Sequence, residues 1–172
     1  TVIQDDITGL LALDAAKNFA IVCKSIEEWQ KAINAYNIIL ERGGEGKLEG
    51  ETIFNIAYCQ FRDRQYQEAV SMFERSITLL TDREMKAEAQ YWIGESYANL
   101  GMYEQAATEY LKVGYYYPDL VQWVAVSELK LSEAYMKQGR VSAAKSVLER
   151  IVEKYGRSSD WGRQAVIILQ QL

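Results

Sequence analysis

Apolar residues recur along the chain at spacings of three and four, the signature of helices with one buried face. One stretch reads Tyr91, Trp92, Ile93, Tyr97, Leu100 and stops at Gly101, and the next reads Ala106, Ala107, Tyr110, Leu111, Val113 and stops at Pro118. A glycine after the last turn and a proline beyond it are the stop signals expected of helices. Extended over the chain, this pattern predicts first helices at roughly 8–25, 50–62, 84–100 and 119–138. Second helices follow at roughly 28–42, 66–81, 103–117 and 141–156, with a last helix at about 159–172. The glycine-rich stretch Gly43-Gly44-Glu45-Gly46-Lys47 is expected to be the long loop.

The helices are copies of one unit. An aromatic residue, two further residues and an alanine recur as Trp29…Ala32, Tyr66…Ala69 and Tyr103…Ala106, with a weaker copy at Val141…Ala144. The alanines are 37, 37 and 38 residues apart. Four residues after each stands a large apolar side chain: Tyr36, Phe73, Tyr110, Leu148. Twelve before stands a small one, Ala20, Ala57, Gly94 or Ser132, and thirteen before a large one, Phe19, Ile56, Ile93 or Leu131. Small residues suit the point where two antiparallel helices cross closely, and the large ones fill the space between them. The fold class this implies is all-α: a right-handed superhelical solenoid of helix hairpins in a single domain. The repeats are expected at about 13–49, 50–86, 87–124 and 125–158, with a capping helix at 159–172.

The third copy, Ala89 to Ala106, resembles a tetratricopeptide repeat in nearly every column, and the resemblance covers about residues 13–156. Two copies depart from it: the first lacks a glycine before Trp29, and the second has Asp63-Arg64-Gln65 where a glycine turn is usual. The segments Val113–Pro118 and Val152–Gly156 are similar to the long-period repeats of bacterial envelope proteins, including the TolA-binding, Tol-Pal coordinator type. The resemblance implies a binding scaffold, with a periplasmic or envelope setting favoured over the cytoplasm. Its expected partner is another protein or peptide, held in a groove lined by the first helices.

Projecting the repeat register places Asp14, Lys17, Ile21 and Lys24 on that lining, followed by Glu51, Phe54, Tyr58, Phe61 and Arg62. Then come Glu88, Tyr91, Glu95 and Asn99, and finally Val126, Leu129, Glu133, Met136 and Lys137. The candidate contact residues are Lys17, Phe54, Tyr58, Phe61, Arg62, Tyr91, Glu95, Leu129 and Met136, because aromatic residues ringed by charge resemble binding hot spots. Capture of a terminal carboxylate by a Lys/Asn set is disfavoured: Asn55 is present, but the residue one turn after Lys17 is Ile21 rather than Asn.

Composition narrows the chemistry. The chain has no histidine, which removes histidine-based acid–base catalysis and Cys/His metal clusters. Carboxylates such as Glu27, Glu28, Glu104, Glu149 and Glu153 lie at helical spacings, as solvated helix faces do. The Gly43–Lys47 stretch lacks the Ser/Thr and the preceding strand of a phosphate loop. A net charge of −5 without a basic stripe argues against a nucleic-acid surface. The apolar run Gly9–Leu13 ends at Asp14, too short for a membrane span. No enzyme activity, metal or cofactor is expected. Cys23 and Cys59 read as small buried residues, with a disulfide between them as the alternative. For the last helix, with Trp161, Ala165, Val166, Ile168 and Leu169 on one side and Arg163, Gln164, Gln170 and Gln171 on the other, capping is expected and homo-oligomerisation is the alternative.

Overall fold

A computed structural model describes residues 2–43 and 47–172, with side chains placed for 12–42 and 48–172. The loop expected at Gly43–Lys47 therefore lies largely outside the described residues. Those residues form nine helices and no strand. They are α1 (Val2–Ser25), α2 (Trp29–Gly43), α3 (Lys47–Arg62), α4 (Tyr66–Leu79) and α5 (Arg83–Asn99), then α6 (Tyr103–Tyr116), α7 (Val121–Lys137), α8 (Val141–Tyr155) and α9 (Asp160–Leu169). Helix α1 starts six residues earlier than the periodicity marks. No proline or turn cluster in the sequence interrupts Val2–Thr8.

The chain folds as two compact units, residues 1–82 and 83–172. In the first, α1 pairs with α2 and α3 with α4, while α2 packs on α3. In the second, each helix from α5 to α9 packs on the next, and α7 also touches α5 and α9. Each unit is thus an all-α stack of antiparallel hairpins.

The repeat columns are the cores. Ala32, Ala69, Ala106 and Ala144 are all 0% exposed. Tyr36, Phe73, Tyr110 and Leu148 are buried beside them, as are Ala20, Ala57, Gly94 and Ser132. At Gly94 a β-carbon would come within 2.5 Å of the Tyr110 ring, so this tyrosine passes over the one residue of the facing column that has no side chain. The column thirteen before the alanine behaves differently in its first copy. Ile56, Ile93 and Leu131 are buried, but Phe19 is 53% exposed. Ile56 belongs to a cluster with Ile33, Tyr36 and Ile39, and Leu131 to one with Ala106, Ala107 and Tyr110, so within each unit this column faces the preceding hairpin. Among the described residues α1 has no hairpin before it.

All four hairpins turn the same way. Glu27, Arg64, Gly101 and Gly139 hold equivalent positions and all adopt positive φ, between 60° and 76°. The residue after each donates its N–H five residues back: Glu28 to Cys23, Gln65 to Gln60, Met102 to Tyr97 and Arg140 to Tyr135, at 2.8–2.9 Å. This is the left-handed close that caps a helix through its backbone. The two copies without glycine adopt it nonetheless. Only at α9 does a side chain serve as cap among the helices whose caps are described, with Ser159 Oγ accepting from the Gly162 N–H at 3.0 Å.

Candidate first-helix binding faces

In the first unit the register brings Lys17, Ile21 and Lys24 of α1 beside Glu51 and Asn55 of α3, around a cleft of about 410 Å³ floored by Tyr36 and Ile39. Lys24 Nζ donates to Asn55 Oδ1 at 2.7 Å and sits 5.1 Å from the centre of the Tyr58 ring. Arg62 closes the end of this face. It donates to the Tyr58 hydroxyl at 3.0 Å and to Glu27 at 3.1 Å, and its guanidinium lies 4.6 Å over Trp29. Those bonds, the one to Tyr58 foremost, raise the guanidinium's affinity for its proton. Phe61 is half-buried, edge-on to Tyr66 at 5.5 Å.

In the second unit α5 and α7 present a smaller cleft of about 220 Å³. Glu95, Asn99, Lys130, Glu133 and Lys137 line it, with Tyr103 and Tyr110 behind. Lys130 Nζ lies 3.1 Å from Glu133 and 3.7 Å from Glu95. Burial would lower the lysine's pKa, but the two carboxylates outweigh it and the net shift is upward. The Tyr110 hydroxyl donates to Glu95 Oε1 at 2.5 Å. Tyr91 stands between Tyr110 and Trp123, with ring centres 6.0 and 5.7 Å away. Burial, and Glu95 next, push the hydroxyls of both Tyr91 and Tyr110 well above the ordinary tyrosine range.

Two of the expected contact residues are corrected. Phe54 is 7% exposed and packs edge-on against Phe73 at 5.5 Å, and Leu129 is 5% exposed in the core cluster that holds Leu148. The cause is a register displacement. Phe54, Tyr91 and Leu129 hold one repeat position, and there each meets a second-helix side chain of its own hairpin: Phe73, Tyr110 and, in one core cluster, Leu148. The open column lies four residues on, at Ile21, Tyr58, Glu95 and Glu133, all exposed or half-buried. Met136 is half-buried on α7. Lys130, central to the second cleft, was missed because its equivalents, Asn55 and Trp92, do not share its charge.

Three stretches, residues 51–79, 88–120 and 127–158, match the family model of the tetratricopeptide repeat. Together they cover more than half of the chain. It is a tetratricopeptide-repeat protein. No curated protein matches this repeat protein significantly in sequence. Among solved structures it is similar to the apo form of RapI, with a TM-score of 0.83 and 16% identity over 99% of this chain and 52% of RapI. It therefore spans about half the length of that protein. It is also similar to YrrB, described as a TPR protein with an unusual peptide-binding site, with a TM-score of 0.70 and 18% identity over 93% of this chain and 75% of that one. A third is the Rap conjugation gene regulator of the plasmid pLS20 in complex with the Phr* peptide, with a TM-score of 0.72 and 12% identity over 99% and 50%. At these identities the likeness is one of fold. Among the described residues of this repeat protein, no carboxylate or cysteine cluster could hold a metal ion, and no helix is long and apolar enough to cross a membrane.

Proposed function

We propose that this tetratricopeptide-repeat protein is a non-catalytic scaffold that holds a segment of another protein, a peptide or a helix, on its first-helix faces. The observation that carries the reading is the α5–α7 cleft. Asn99, Glu133 and Lys137 offer donors and acceptors at its mouth, and half-buried Tyr103 supplies aromatic area behind them. Polar groups around a partly desolvated aromatic centre are the anatomy of a binding hot spot. The α1–α3 face adds Lys24, Tyr58 and Arg62 in the same style. That YrrB has a peptide-binding site and the pLS20 Rap regulator is held with a peptide supports the class of partner. The bacterial envelope is the setting the sequence resemblance favours. Assembly through α9 is the weaker reading, since its outer side carries exposed Arg163, Gln164 and Gln170.

The test is affinity capture from bacterial envelope and cytosolic extracts, comparing wild type with the triple variant Asn99→Ala/Glu133→Ala/Lys137→Ala. These side chains leave the Tyr110–Glu95 bond intact, and circular dichroism checks the fold. A partner bound by wild type and lost by the folded variant supports the cleft, and the extract that supplies it fixes the setting. Equal capture by both would move the site off α5 and α7.

A further inference from the structure

A second surface lies apart from the first-helix faces. Between α1 and α2 an open apolar groove of about 500 Å³ is lined by Ala12, Ala15, Phe19 and Ile38, with Lys31 and Arg42 at its edge. Phe19 and Ile38 are both largely exposed in it. The repeat register says what shape such a face accepts. Phe19 is the equivalent of Ile56, and Val22 of Cys59. In the next hairpin Ile56 and Cys59 are buried in the cluster that holds Ile33, Tyr36 and Ile39 of α2. The chain thus contains a worked example of this face in use, and its occupant is the apolar stripe of a helix.

Charge selects among helices. The lining holds two cations and, among the described residues, no acidic side chain, in a chain whose net charge is −5. Lys31 lies 3.3 Å from Glu28, the residue just before α2. We propose that the α1/α2 face docks an amphipathic helix of a partner protein whose apolar stripe is flanked by acidic residues. Burial of Phe19 and Ile38 supplies the attraction, and Lys31 and Arg42 set the preference for acidic flanks. This surface shares no residue with the clefts assigned above, so either assignment stands or falls alone.

The probe is a synthetic leucine-striped helical peptide flanked by glutamates, compared by fluorescence anisotropy with a twin carrying lysines. The whole chain is acidic, so non-specific attraction would favour the lysine twin. The glutamate peptide is expected to bind at least about tenfold more tightly. Phe19→Asp and Ile38→Glu should each abolish binding, Lys31→Glu/Arg42→Glu should invert the preference, and the Asn99/Glu133/Lys137 triple variant should bind as wild type does. The charge reversals touch exposed side chains, so they report even if an apolar substitution disturbs the fold. Equal or tighter binding of the lysine twin, binding that survives Phe19→Asp, or no binding of either peptide would overturn the proposal. So would a free chain that is dimeric and made monomeric by Phe19→Asp, since a second copy would then own the face.

Discussion

Tyr110 and Glu95 tie the two helices of one hairpin together: the hydroxyl donates to Oε1 at 2.5 Å while the ring passes over Gly94. A methyl group at position 94 would meet Cε1 at 2.5 Å and Cδ1 at 2.7 Å, so the ring would have to shift within a packed core. Gly94→Ala should cost about 1–3 kcal/mol, as overpacking does. In urea unfolding the loss should shrink when Tyr110→Leu is added, because the fourth copy already pairs a side chain, Ser132, with Leu148. A loss unchanged in the double variant would separate the two positions.

The hairpin turns give a stabilising substitution. Arg64 sits at φ 63° where two other copies carry glycine. A left-handed backbone costs a residue with a side chain roughly 1–2 kcal/mol, which glycine escapes. Arg64→Gly should therefore raise the urea midpoint by up to about 1 kcal/mol equivalent, with the slope unchanged. The reverse change, Gly101→Ala, should lower it, although a β-carbon there meets nothing within 4 Å.

Alkaline pH should find the buried phenols. Burial, with Cys59 next, pushes the Tyr36 hydroxyl up to about 12. An unfolded tyrosine ionises near pH 10. The folded state holds the proton more tightly, so the contribution of Tyr36 is complete below about pH 10 and is lost between there and about 12. Stability measured from pH 8 to 11.5 should fall above 10, and Tyr36→Phe should flatten that fall. An unchanged slope in the variant would assign the loss to other groups, Tyr91 and Tyr110 first.

The thiols should be silent in the native protein. Cys23 and Cys59 are both free and buried, and burial lifts the Cys59 pKa to about 11. A thiolate reagent at neutral pH should react slowly with the folded chain and should titrate both cysteines after denaturation. Rapid native reaction would contradict the burial, and no reaction after denaturation without reductant would reveal a disulfide.

The architecture was legible because its determinants are local and repeated. A column such as Ala32, Ala69, Ala106, Ala144 identifies itself by keeping its size in every copy. The turn at Arg64 was hidden because the backbone bonds that close it are blind to side-chain identity, so the absence of glycine looked like a departure. The clefts were half legible. Tyr58, Arg62 and Glu95 reach the surface of the first helices, while Phe54 and Leu129, expected beside them, are buried. On a helix, one turn separates a side chain aimed at solvent from one aimed at the partner helix, and aromatic character does not say which. Lys130 had no column to announce it.

Every described helix packs on its neighbour in the sequence within its unit. Bringing such partners together closes only short loops, and topologies of this kind fold quickly. A hairpin can therefore take shape as soon as its second helix has left the ribosome, with no distant segment to wait for. Order of synthesis and order of assembly can coincide, which shortens the time that Phe73 or Ile93 spends in water.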